Sequence, residues 1–163
     1  MRVMKSTSRY LARFYVVLAC ILGVSCGRSP NGPSPAASFL TGTWRGTVTL
    51  QVNPNAPGTA PPTSASTTWT FEVVPQTNLQ TFQVTIRSEH PWLPITTTAT
   101  AALGPGNSPP VHISTQGNYA SPRGCQGTLG SAGTAEATRI EADFTGVDCQ
   151  LSTFTGSVVL TKQ

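Results

Sequence analysis

From residue 40 onward the apolar positions recur at every second residue, and no stretch keeps a helical period, so the chain reads as a succession of strands. In TWRGTVTLQV, Trp44, Gly46, Val48, Leu50 and Val52 fall on one face, and Thr43, Arg45, Thr47, Thr49 and Gln51 on the other. TWTFEVV places Trp69, Phe71 and Val73 together, and TFQVTIRS does the same for Phe82, Val84 and Ile86. With PQTNLQ as the turn between them, these two segments predict a hairpin. ITTTATAAL aligns Ile95, Thr97, Ala99, Ala101 and Leu103. VHISTQ predicts a short fifth strand, and RGCQGTLG a sixth, interrupted by glycines and followed by a turn at GSAGTA. ATRIEADF alternates Thr138, Ile140, Ala142 and Phe144 with Arg139, Glu141 and Asp143. TFTGSVVLTK closes the series with Phe154, Gly156, Val158 and Leu160 on one face.

Turn residues punctuate the series. A Pro-rich loop over 53–67, EHPWLP and GPGNSPP all interrupt the alternation, and short connections favour antiparallel, up-and-down order. About eight short strands imply an all-β domain over 39–163, either a closed barrel or a two-sheet β-sandwich. No helix is expected before or after it. In a barrel the first and last strands pair and both sheet edges vanish. The expected interior is Trp44, Val48, Leu50, Trp69, Phe71, Phe82, Val84, Ile86, Ile95, Leu103, Val111, Ile113, Ile140, Phe144, Phe154, Val158 and Leu160.

Gly42-Thr43-Trp44, at the head of the first strand, resembles the Gly-x-Trp of lipocalins. The resemblance implies a small eight-stranded barrel with Trp44 plugging one end; any cavity within it would be lined by apolar residues and would take a small apolar molecule, lipid-like or aromatic. The chain departs from that pattern in lacking a Thr-Asp-Tyr segment and an Arg in the last strand, where Lys162 is the cation.

The N-terminal pattern is different. Arg2, Lys5, Arg9 and Arg13 form a positive region without an acid, and Phe14 to Val24 is an almost continuous apolar run of 11 residues. That length suits a signal-peptide core and falls short of the ~20 residues that span a bilayer. Leu22-Gly23-Val24-Ser25-Cys26 resembles the lipobox of bacterial lipoproteins, with Gly23 where Leu is usual. The resemblance implies that residues 1–25 are removed, that Cys26 carries lipid, and that the chain is held at a membrane. Cys20 competes as the lipid site through Val17-Leu18-Ala19-Cys20, but it leaves only a short apolar core after Arg13. Residues 26–38 read as a Gly/Pro/Ser-rich tether. By analogy with other lipoproteins, the absence of Asp after Cys26 points to the outer membrane of the bacterial envelope.

Removing the leader changes the charge and the cysteine count. The formal charge of +4 rests on the leader's four cations; Arg28, Arg45, Arg87, Arg123, Arg139 and Lys162 then balance Glu72, Glu89, Glu136, Glu141, Asp143 and Asp148. There is no basic stripe, which argues against a nucleic-acid partner. Cys125 and Cys149 remain as a pair in an oxidising compartment and are expected to form a disulfide closing a loop of 24 residues. The expected inward positions hold no titratable side chain, and no catalytic, phosphate-binding or dinucleotide motif is present. Neither a catalytic site, a metal site nor a cofactor is expected. His112 alternates with Val111 and Ile113 and should face solvent, and His90 should serve a turn. Trp92 and Tyr119, read as loop aromatics, are the candidates for contacting a ligand or partner, or for capping the core. Two functions follow: a surface or interaction lipoprotein whose partner is an envelope protein, or a binder of a small apolar molecule.

Overall fold

The structure is a computed structural model in which residues 39–74, 81–105, 108–149 and 152–163 are described. The leader, Cys20, Cys26 and the 26–38 tether lie outside the described residues, as does the turn at 75–80. The domain is an all-β closed barrel of eight antiparallel strands in sequence order: β1 (Gly42–Val52), β2 (Thr63–Val73), β3 (Thr81–Ser88), β4 (Thr96–Leu103), β5 (Val111–Ala120), β6 (Gln126–Ala135), β7 (Arg139–Val147) and β8 (Thr153–Lys162). β1 pairs with β8 from Trp44↔Lys162 to Val52↔Phe154, so closure leaves no free edge.

Period-two alternation drives this result. Every one of the expected inward residues, from Trp44 to Leu160, is buried. The core divides along the barrel axis. One cluster gathers Leu40, Trp44, Phe71, Phe82, Ile140 and Leu160 with their neighbours. The other gathers Leu50, Leu93, Ile95, Tyr119, Phe144 and Phe154. Between them lies a cavity of about 40 Å³, edged by Trp69, Ile86, Leu129 and Phe144 and by the hydroxyls of Thr67, Ser88 and Ser131. That is far below the roughly 300 Å³ at which small-molecule pockets begin.

The two barrel ends differ. At the Trp44 end the chain enters through Phe39 and Leu40, which are helical where no helix was expected. Trp44 is fully buried there; its Nε1–H donates to the Leu40 carbonyl at 2.8 Å. The Lys162 ammonium lies 5.5 Å from the Trp44 ring centroid and donates to the Phe39 carbonyl. Residues 104–105, 108–110 and 136–138 belong to this end. The opposite end collects the 53–62 segment, the 89–95 corner, the 121–125 turn and the connection after Val147.

Several expectations need correction. The strands run 8 to 11 residues and are not short. β2 already begins at Thr63, so the loop expected over 53–67 ends at 62. β5 continues through Ala120, which puts Tyr119 in a strand rather than a loop. β6 runs straight through GSAGTA, the expected turn, and the reversal falls at 136–138. Small residues explain this misreading. Gly133, within that stretch, lies against β7, where an added Cβ would come within 2.0 Å of the Glu141 carbonyl oxygen. Such positions pair normally but carry no apolar signal. Val73 is 37 % exposed at the end of β2, beyond the covered part of the barrel, and Thr138 is exposed ahead of β7.

Candidate functional site

The Trp92 end holds most of the residues singled out from sequence, joined by polar groups that the sequence reading did not connect. Cys125 and Cys149 are disulfide-bonded, with Cα atoms 5.7 Å apart. The bond ties the turn after β5 to the connection after β7. In doing so it brings together the residues that flank it, Arg123 and Asp148.

Asp148 has a side chain with no exposed surface, and the Arg123 guanidinium meets it at 2.5 Å. The Tyr119 hydroxyl donates to its other oxygen at 3.2 Å. Burial works against ionisation of Asp148, but hydrogen bonds from Ser121, the Cys149 backbone N–H, Tyr119 and Arg123 outweigh it and hold the carboxyl below its ordinary range. Burial, then the Asp148 charge and the hydrogen bond to it, push the Tyr119 phenol well above its ordinary value. The interior is therefore not free of titratable groups, as the alternation alone implied; Tyr119, Asp148 and His90 are all buried.

Trp92 and Tyr119 do converge, through Phe154. Trp92 meets Phe154 edge-on at 5.6 Å, and Tyr119 lies 6.4 Å from the same ring. Arg123 covers the outer face of Trp92 at 4.3 Å and donates to its carbonyl at 3.0 Å. Trp92 is half-buried and Tyr119 is 2 % exposed, so these aromatics cap the core.

His90 fixes the adjoining corner. Its Nδ1 accepts from the Trp92 backbone N–H at 3.2 Å, so Nε2 carries the hydrogen and faces Thr63 Oγ1 at 2.8 Å. The bridge His90↔Leu93 closes the corner. His112 is exposed on β5, as alternation requires.

Chemically, this constellation is locked. Asp148 is held as a carboxylate, Tyr119 as a phenol, and both nitrogens of His90 are engaged. Cys125, Asp148 and Cys149 offer ligand atoms within 4.8 Å of one another. With both sulfurs in a disulfide, however, no thiolate exists there to hold a metal. Among the described residues no buried side-chain nitrogen or oxygen lacks a hydrogen-bond partner.

The outer surface is rich in hydroxyls. Thr43, Thr70, Thr85 and Thr98 follow one another in register across β1 to β4. Among the described residues no helix is long and apolar enough to cross a membrane.

No protein-family model matches the chain, and no curated protein matches it in sequence. Among solved structures it is similar to a protein of unknown function from the DUF3598 family of Nostoc punctiforme, at 14% identity and a TM-score of 0.49 over 81% of this chain and 51% of that one. The chain thus spans about half the length of that protein. It is also similar to a redesigned β-barrel, at 17% identity and a TM-score of 0.41 over 80% of this chain and 96% of the other.

Proposed function

We propose that this protein is a non-catalytic, lipid-anchored β-barrel of the bacterial cell envelope, held at the outer membrane, which acts through protein contacts made at its Trp92 end. One observation carries the reading. The chain enters the barrel at the Trp44 end, through Phe39 and Leu40, whereas the 53–62 segment and the corners held by His90 and by Cys125–Cys149 gather at the other. That second end lies opposite Phe39, where the described residues begin, and its rim is fixed by a disulfide and a buried ion pair.

Two further features support this choice. The outward strand faces carry Thr, Ser, Arg and Glu, unlike the apolar band of a barrel that sits in lipid, so attachment falls to Cys26. The 40 Å³ cavity weighs against a lipocalin-like role in holding a small apolar molecule.

Labelling with an alkynyl fatty acid in a bacterial host tests the anchor: the wild-type chain takes up label and fractionates with membranes, and Cys26→Ala loses both properties. Labelling that persists in Cys26→Ala would overturn the assignment of the site. A photo-crosslinking residue at position 55, at the Trp92 end, should capture one discrete envelope protein, and the same residue at 136, at the Trp44 end, should not. Identical, diffuse products from both positions would refute an outward-facing contact surface.

A further inference from the structure

We infer that the Cys125–Cys149 bond is a redox latch on Trp92: closed, it holds the indole in the barrel mouth, and a dithiol that opens it frees the Trp92 corner. As a way of regulating contacts at the Trp92 end, the latch rests on the reading proposed above; as a property of the barrel, it does not.

The backbone leaves this task to side chains. The β5–β6 ladder ends at Ala120↔Gln126 and the β6–β7 ladder at Thr128↔Val147. Past those rungs each connection bonds to itself. Within the 121–125 turn, the Ser121 N–H donates to the Cys125 carbonyl and the Gly124 N–H to that of Ser121. Within the other connection, the Asp148 N–H donates to the Ser152 carbonyl and the Ser152 N–H to that of Cys149. Among the described residues no backbone hydrogen bond joins the two. Their side-chain hydrogen bonds converge on one carboxylate: Ser121, Arg123 and, from the end of β5, Tyr119 all reach Asp148. The disulfide is the covalent tie beside it.

Trp92 is tied to the same carboxylate through Arg123. That guanidinium engages Asp148, donates to the Trp92 carbonyl at 3.0 Å and lies 4.3 Å from the indole centroid. A single side chain thus carries the constraint from the disulfide to the 89–95 corner. It is 39 % exposed, where an ion pair is screened and holding its geometry costs side-chain entropy. With Cys125 bonded to Cys149, the turn and Asp148 are already together, and Arg123 has only to adopt one rotamer. Without the bond, the same contact must also close the 24-residue loop against chain entropy. A half-exposed contact then gives way, and Trp92 keeps only His90 and Phe154.

Both cysteines are partly exposed, so a sulfur is open to attack. One thiolate of the dithiol bonds to the Sγ of one cysteine and breaks the S–S bond; the other cysteine leaves as a thiolate and takes up the proton that the dithiol gave up. The second thiol of the reductant, losing its own proton, displaces the first cysteine in the same way. The reductant leaves oxidised to a disulfide, and the chain holds two thiols. Asp148 Oδ1 lies 3.8 Å from Cys125 Sγ, so the freed Cys125 S–H competes with Tyr119 for that oxygen and loosens the carboxylate further.

Fluorine NMR of the full chain labelled with fluorotryptophan tests the latch, with dithiothreitol as the dithiol. The chain has three tryptophans, and Trp92→Phe assigns the Trp92 signal. On full reduction that signal should move toward the position of free fluorotryptophan, while those of buried Trp44 and Trp69 hold, and reoxidation should reverse the shift. Arg123→Ala should produce the same shift with the disulfide intact. Three results would overturn the latch: a Trp92 signal that full reduction leaves in place, all the signals moving together, or an Arg123→Ala chain whose Trp92 signal stays at the oxidised position. The regulatory role has its own readout. Capture from position 55 should fall about tenfold on reduction, since a rim that must order itself on contact binds more weakly. Equal capture in both states, with Trp92 freed, would overturn the regulation. No discrete capture in either state would overturn the contact surface and the regulation with it, and leave the latch standing.

Discussion

Asp148 decides how the Trp92 end holds together, because its carboxylate is fully buried and four donors converge on it. Arg123→Ala removes one of them and leaves the charge inside with Tyr119, Ser121 and the Cys149 N–H. Chemical denaturation should show a loss of about 2 kcal/mol, moderated because the Arg123 side chain is 39 % exposed. Arg87→Ala, which breaks a pair exposed on both sides, should cost less than about 0.5 kcal/mol. The same cluster sets the response to pH. Folded Asp148 binds its proton less tightly than the unfolded chain does, so its contribution is complete above about pH 4 and is lost as pH falls through its folded value. Folded Tyr119 binds its proton more tightly, so its contribution is complete below about pH 10 and fades above it. Urea midpoints should form a plateau with a decline at each side; Asp148→Asn should flatten the acid limb and Tyr119→Phe the alkaline one. At this scale the sequence was partly legible. The apolar interior followed from alternation alone, but Asp148 entered only as one of the balancing charges, with no role assigned to it. The available signal was its place beside Cys149: pairing of Cys125 with Cys149 brings Asp148 close to the turn that carries Arg123.

The elements show where alternation fails as a guide. β1, β3 and β7 announce themselves because large apolar side chains mark one face. β6 does not: its inward positions include Gly127 and Gly133, which neighbouring side chains and backbone crowd. Pairing with β5 and β7 makes it a strand, and pairing is not a local property. Tyr119 was misplaced for a related reason, since polar Gln116, Gly117 and Asn118 interrupt the apolar run before it. The disulfide belongs to this scale too, because it joins two connections rather than two residues of one element. It closes a loop of 24 residues. In the chain-entropy model, Cys125→Ser/Cys149→Ser should cost roughly 3 kcal/mol. A thermal melt should then show a midpoint lower by roughly 10 °C. A melt unchanged by the double substitution would mean that the ion pair and aromatic contacts alone hold that end.

For the molecule as a whole, closure follows from the matching first and last strands and from the short connections between neighbours. The choice of barrel over sandwich was not legible, because both bury the same residues; it turns on whether β1 and β8 meet. They do, and this has an outcome for the order of the chain itself. The backbone of Gln163 donates to the Thr43 carbonyl at 3.0 Å, so the finish of β8 lies against the start of β1. Gly58, at the far end, has open space around its Cα and a positive φ. The barrel, from Phe39 to Gln163, thus runs nearly full circle, and Gly58 offers a second place at which it can be opened. A permuted chain, with residues 163 and 39 spliced by a short glycine linker and new ends cut at Gly58, should fold with the same near-UV spectrum and the same Cys125–Cys149 bond.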